Sequence, residues 1–121
     1  MKIFDPKYNL IPKVELHCHL EGSIRTQTIL DLARQHNLNL PAWDAATLEG
    51  HVKVREQMHD LQAVLEAFAI FQESLVSARA MERITYELLE DAHHQNIQLL
   101  EIRFSPDCFC LFFKISRPQH Y

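Results

Sequence analysis

Cysteine is scarce here: Cys18, Cys108 and Cys110 make an odd and sparse set of three. A small secreted domain stapled by disulfides carries a denser and even set, so the count suits a reducing cytosol. No apolar run approaches the roughly 20 residues that a membrane span needs. The opening MKIFDPKYNLIPK has charges and two prolines where a signal peptide requires a continuous apolar stretch. Positive charge is not in excess either. Lys and Arg total 12 against 16 Asp and Glu, for a net charge of −4. That balance leaves no broad basic footprint for nucleic acid and no attraction to an anionic membrane surface. Internal repeats, Gly/Ser linkers and low-complexity segments are absent as well. These absences lead to the expectation of a cytoplasmic, soluble protein that binds neither nucleic acid nor membrane.

What is present suffices for one domain. The chain has 121 residues, of which 47% are hydrophobic and 23% charged, enough to bury a core and too apolar for a disordered tail. In VELHCHL, residues 14 to 20, alternation predicts a strand. Val14, Leu16, Cys18 and Leu20 should face one way and Glu15, His17 and His19 the other, with Gly22 closing the strand. Residues 26 to 36 fit a helix on Ile29, Leu32, Ala33 and His36, stopped by Asn37 and Pro41. A short helix is expected behind Asp44. Asp60 should cap another, with Leu61, Val64, Leu65, Phe68 and Leu75 on one side. Ser77 should cap the next, around Met81, Ile84, Leu88 and Ala92, ending at Asn96. QLLEIRFSP, residues 98 to 106, reads as a second strand. The long helical stretch between the strands exceeds any hairpin, so the two should be parallel neighbours joined by a helical crossover. After Pro106, DCFCLFFKISRPQHY is nearly all apolar from Cys108 to Phe113, yet too close to the second strand for a parallel return.

The chemistry lies in His17 and His19. Residues i and i+2 of a strand share a face, so the two imidazoles can reach one ion. Zinc binds imidazole nitrogen at about 2.0–2.1 Å, and a catalytic zinc keeps three protein ligands and an open position. Two strand histidines hydrogen-bonded to neighbours are the plainer alternative. Glu15, on the expected histidine side, would orient an imidazole or be a solvated charge. Glu101 and Arg103 should share one face of the second strand in a structural role. His36, His51, His59, His93, His94 and His120 lack ligand spacing and read as surface or packing residues. Cys108 and Cys110 form a lone CxC with no second pair, weak support for zinc.

PKVELHCHLEGSIRTQTILDLARQHNLNLP resembles the opening strand and helix of the adenosine deaminase family. EDAHHQNIQLLEIRFSP, residues 90 to 106, is similar to that family's helix and second strand, which ends in R-(F/Y)-S-P. The resemblance covers residues 12 to 106. It implies an α/β fold: residues 1–106 as the N-terminal fragment of a metal-dependent hydrolase (β/α)₈ TIM barrel, with 107–121 a non-family tail. It also implies that His17 and His19 are the first two ligands of one Zn2+ ion, with His19 against the bound purine nucleoside or base. Glu21 stands where adenosine deaminases usually carry an aspartate that hydrogen-bonds the ribose. Glu is common in adenine-deaminating relatives, so a substrate contact is expected of Glu21 while its partner stays open, and a solvated loop acid is the alternative. Gly22 would let the chain pass close to the ligand. Leu61, Val64, Leu65 and Phe68 resemble an apolar lid over the purine, or else plain core.

The family's reaction is hydrolytic deamination of adenosine to inosine and ammonia. A zinc-activated water attacks purine C6 while a glutamate protonates N1. That glutamate and the remaining ligands lie on later strands, so no catalytic acid or base is assigned in this chain. The H-x-E and P-C-x-x-C signature of the other zinc deaminases is absent. Two strands cannot close a barrel that takes about 250 residues, so the expectation is a truncated, inactive deaminase. A fragment of an adenine deaminase-type relative, or a non-catalytic metal-binding or helical interaction module, is the alternative.

Overall fold

The computed structural model describes residues 6–53 and 61–105. Strand β1 (Lys13–His19) leads through a 3-10 turn, Glu21–Ser23, into α1 (Thr26–His36). Then follow α2 (Ala45–Val52), α3 (Leu61–Glu73), α4 (Ala78–His94) and β2 (Ile97–Arg103). The two strands pair in parallel, as the long helical crossover requires. Asp60, His59, Cys108, Cys110, His120 and the expected tail at 107–121 lie outside the described residues. Among the described residues no helix is long and apolar enough to cross a membrane.

Local chemistry sets most boundaries. The Asp44 carboxylate accepts from the Thr47 N–H at 2.9 Å, and the Ser77 hydroxyl accepts from the Ala80 N–H at 3.0 Å. Each satisfies a backbone donor that the first helical turn leaves open. Asn37 and Asn96, the expected stops, both take positive φ, 54° and 57°, a region where Asn is tolerated. α1 buries Ile29, Leu32 and Ala33 along one stripe, and α4 buries Ile84, Leu88 and Ala92 along its own. His36, expected on the α1 stripe, is exposed in the last turn. α3 departs further from expectation. Its buried side runs through Ala67 and Phe71 to Leu75, whereas Val64 is 38% and Leu65 53% exposed. Leu65 is rotated off that stripe, and the burial of the stripe fades toward the N-terminal turn that carries Val64.

A polar clasp joins α1 to α4. The Arg25 guanidinium donates to Asp91 through Nε and Nη2, at 3.1 and 2.6 Å, and to Glu90 at 2.6 Å. One turn further on, Arg83 reaches Glu87 at 2.8 Å and Asp31 at 2.9 Å, while the Thr28 hydroxyl donates to Glu87 at 2.6 Å. Arg83 and then Gln27 hold the Asp31 carboxyl below its ordinary value. A depressed folded-state pKa means stability that is present above the unfolded value of about 3.9 and lost as pH falls through the folded value. Acid unfolding of the native chain should therefore steepen below about pH 4. Asp31→Asn should flatten that limb, which circular dichroism along a pH titration measures.

Candidate functional site

The histidine pair sits at the C-terminal end of β1, and the path of the strand into it is irregular. Val14 pairs with Leu99, Glu15 with Leu100, Cys18 with Ile102 and His19 with Arg103. Between Glu15 and Cys18, β1 spends one residue more than β2 does. Such a bulge reverses the alternation beyond it. Val14, Leu16, His17 and His19 thus stand on the open side, while Glu15 and Cys18 line one cavity with Leu88, Ala92 and Leu100 on the helix side. Two expectations are corrected by this. Val14 and Leu16 do not share a face with Cys18. Glu15 does not orient an imidazole: its carboxylate accepts from the His17 backbone N–H at 2.9 Å.

On the open side the imidazoles converge. His17 Nε2 and His19 Nε2 are 3.1 Å apart, with ring centroids at 5.1 Å. Two nitrogens bound to one tetrahedral zinc at about 2.05 Å each would be separated by roughly 3.3 Å. The pair therefore fits two adjacent positions around a single ion. The same spacing fits one imidazole N–H donating to the other ring. Among the described residues no group of three or more His, Cys, Asp and Glu could hold a metal. His93 and His94, with centroids 6.1 Å apart on α4, do not converge in this way.

Neighbouring residues fix the strand's exit. The Ser23 hydroxyl donates to the His19 carbonyl at 2.7 Å, and the Cys18 thiol lies 3.3 Å from the Ser23 oxygen. With the hydroxyl proton spent on the carbonyl, the thiol is the donor in that second contact. Gly22 has no positive φ, and a Cβ there would meet only His19 Cβ at 4.0 Å, so the turn itself does not require glycine. Phe68 of α3 meets the His19 ring edge-on at a centroid distance of 6.3 Å and stands in the same relation to Phe71. Of the other residues resembling a lid, Val64 and Leu65 are exposed, and the Leu61 side chain lies outside the described ones. Glu101 and Arg103 share the open face of β2 and approach to 3.7 Å, and Arg103 also donates to the Leu16 carbonyl at 3.3 Å.

Glu21 is no solvated loop acid. It is 1% exposed, and its Oε1 accepts from the Ser105 N–H at 2.8 Å, tying the turn after β1 to the exit of β2. Its Oε2 is buried without a partner among the described residues. Ser105 carried no sequence signal for this role, because its contribution is a backbone donor. Glu21→Ala should lower stability by about 0.5–1.5 kcal/mol, the net worth of the hydrogen bond to the Ser105 N–H. Glu21→Gln, which keeps an acceptor, should retain most of it. Urea denaturation of the two variants checks both outcomes.

The described residues thus form a parallel two-stranded sheet backed by helices, with two imidazoles converging at the end of its first strand. The family model described as "Adenosine deaminase" matches residues 12–112. The chain belongs to the adenosine deaminase family. It is 43% identical over 96 residues to a Vibrio vulnificus protein named adenosine deaminase, covering 79% of this chain and 29% of that one. It is 37% identical over 99 residues to one from Clostridium botulinum, covering 82% of this chain and 30% of that one. Against one from Shewanella woodyi the identity is 38% over the same length and coverage. The chain thus spans about 30% of the length of these relatives.

Proposed function

We propose that this chain carries the first metal- and substrate-binding elements of a zinc aminohydrolase that converts adenosine to inosine and ammonia. On this reading it is the opening βα portion of a TIM barrel and works in the cytoplasm, as the sparse cysteine count supports. The observation that carries the proposal is the 3.1 Å approach of His17 Nε2 to His19 Nε2 on the open side of a parallel strand. His17 and His19 would hold the zinc, and further ligands would come from outside the described residues. When bound, the ion lowers the pKa of a water toward about 7 and so supplies a nucleophile near neutral pH. The bulge places both imidazoles on one side, and Phe68 packs edge-on against the His19 ring, which lowers the ordering cost of binding there. The open side beyond His19, with Val64 and Leu65 on α3, would take the apolar purine.

Glu21 favours a second reading of the substrate. One carboxylate oxygen is already committed to Ser105, and the side chain is 1% exposed. The other oxygen, without a partner among the described residues, is buried as well, so a ribose hydroxyl would reach it only if that turn opened, whereas a free aminopurine base would make no such demand. Adenine is therefore assayed beside adenosine.

The 121-residue chain alone should deaminate neither, since two imidazoles do not complete a catalytic zinc and general acid–base catalysis is worth about 10²–10⁴-fold. A chimera in which residues 12–105 replace the matching segment of the Vibrio vulnificus relative should deaminate at least one of them. Loss of adenosine or adenine absorbance with added zinc is the measurement. A folded, zinc-loaded chimera that leaves both untouched would overturn the proposal.

A further inference from the structure

His19 is the last residue of β1, and the chain leaves the sheet through Leu20 and the 3-10 turn Glu21–Ser23. The peptide that joins His19 to Leu20 is held at both of its polar ends. The Leu20 N–H donates to the Arg103 carbonyl at 2.8 Å, and the His19 carbonyl accepts from the Ser23 hydroxyl at 2.7 Å. One bond ties the peptide to β2, and the other ties it to the turn before α1. Ser23 also donates its own N–H to the Leu20 carbonyl at 3.1 Å, so its hydroxyl reaches His19 from a closed turn. Cys18 keeps that hydroxyl proton on the carbonyl, because its thiol lies 3.3 Å from the same oxygen and donates to it.

The direction of a strand side chain follows the peptide planes on either side of its Cα. Turning the His19–Leu20 plane swings the imidazole from its root, and the displacement is largest at Nε2, far from the backbone. Little displacement is tolerable there. The two Nε2 atoms stand 3.1 Å apart, and bonds to one zinc hold within about 0.2 Å of their usual length. Phe68 meets the far end of the side chain, edge-on at 6.3 Å, while Ser23 holds its root. His17 is tethered from inside the strand, its N–H donating to the Glu15 carboxylate at 2.9 Å. His19, at the strand's end, takes its tether from the turn.

We infer that Ser23 is a positioning residue for the histidine pair: its hydroxyl holds the His19 main chain, and with it the place of His19 Nε2 beside that of His17. Ser23 acts through His19 and binds no ion itself. The inference rests on the metal-binding reading given above and deepens it, by naming a group outside the ligand pair that sets how tightly the pair binds.

The test is proton–carbon NMR of the histidine rings in the full 121-residue chain, first without metal and then along a titration with zinc chloride. His17→Ala and His19→Ala assign the two rings. Without metal, Ser23→Ala should move and broaden the His19 ring signals and leave those of His93 and His94 in place. Ser23→Thr, which keeps the hydroxyl, should restore the native positions. In the native chain zinc should shift the His17 and His19 rings together. Ser23→Ala should weaken that binding by about three- to tenfold, the range that the net worth of one hydrogen bond allows. Ser77→Ala is the control for a merely structural loss. It removes the hydroxyl that accepts from the Ala80 N–H in α4, and it should lower stability to urea without moving either ring or the zinc midpoint. Far-UV circular dichroism confirms that each variant is folded. Native ring signals and a native zinc midpoint in Ser23→Ala would overturn the inference. So would equal displacement in Ser77→Ala, or a Ser23→Thr chain displaced as far as Ser23→Ala. Zinc that moves neither ring of the native chain counts against the metal-binding reading, while the metal-free signals decide separately whether Ser23 holds His19.

Discussion

Ile84→Ala should lower the stability of the chain by about 2–5 kcal/mol, a large share of its total. Ile84 is fully buried on α4, in the cluster that includes Ile29, Leu48 and Leu75. Truncation removes the transfer free energy of three carbons and leaves a cavity that surrounding helices fill only in part. A domain of this size has about 5–15 kcal/mol in all, and a sheet open on one side places this one toward the lower end. Leu89→Ala on the same helix is the matched control. That residue is 51% exposed, so the change should stay within about 0.5 kcal/mol. Urea denaturation with a common slope reads both. Equal losses for the two variants would mean that the core does not lie where the buried stripe of α4 places it.

The second large effect concerns metal. In the chimera that joins residues 12–105 to the relative's remaining length, His17→Ala or His19→Ala should reduce zinc content and deamination together, by more than about 100-fold in rate. The bound follows from comparison with milder changes. Removing a group that only orients a metal ligand already costs about 10–100-fold, and these imidazoles would bind the ion directly. His93→Ala is the control, because among the described residues its ring pairs with His94 at 6.1 Å and faces no converging nitrogen. Zinc measured by mass spectrometry beside the absorbance assay gives two readouts. Full zinc occupancy and full rate in His17→Ala would remove this residue from the site.

The elements that local pattern governs were legible in the residues. The helix at 26–36 has the expected bounds, and the expected caps Asp44 and Ser77 bind the first-turn amides. The parallel pairing followed from the length between the strands. What could not be read depends on distant partners. The bulge in β1 exists only relative to β2, so alternation placed Glu15 on the histidine side when it lies on the other. Burial of Glu21 likewise needs Ser105, and the Arg25 clasp needs Asp91 and Glu90. The site was half legible for the same reason. The i, i+2 spacing foretold that the imidazoles would share a face, while their closeness to Phe68 came from how α3 packs.

The pairing of Lys13 with Ile97 sets an order of events during synthesis. At roughly 5–20 residues per second, β1 leaves the ribosome about 4–16 s before its partner strand has been made. Closing so long a loop is entropically costly, and non-local parallel contacts form late. Through that interval Val14, Leu16 and both histidines have no strand to lie beside, and the helices must assemble first. A nascent chain halted before β2 should therefore hold helical structure with β1 still open to protease, and it would present the imidazoles of His17 and His19 to solvent before the rest of the fold has any means of shielding them.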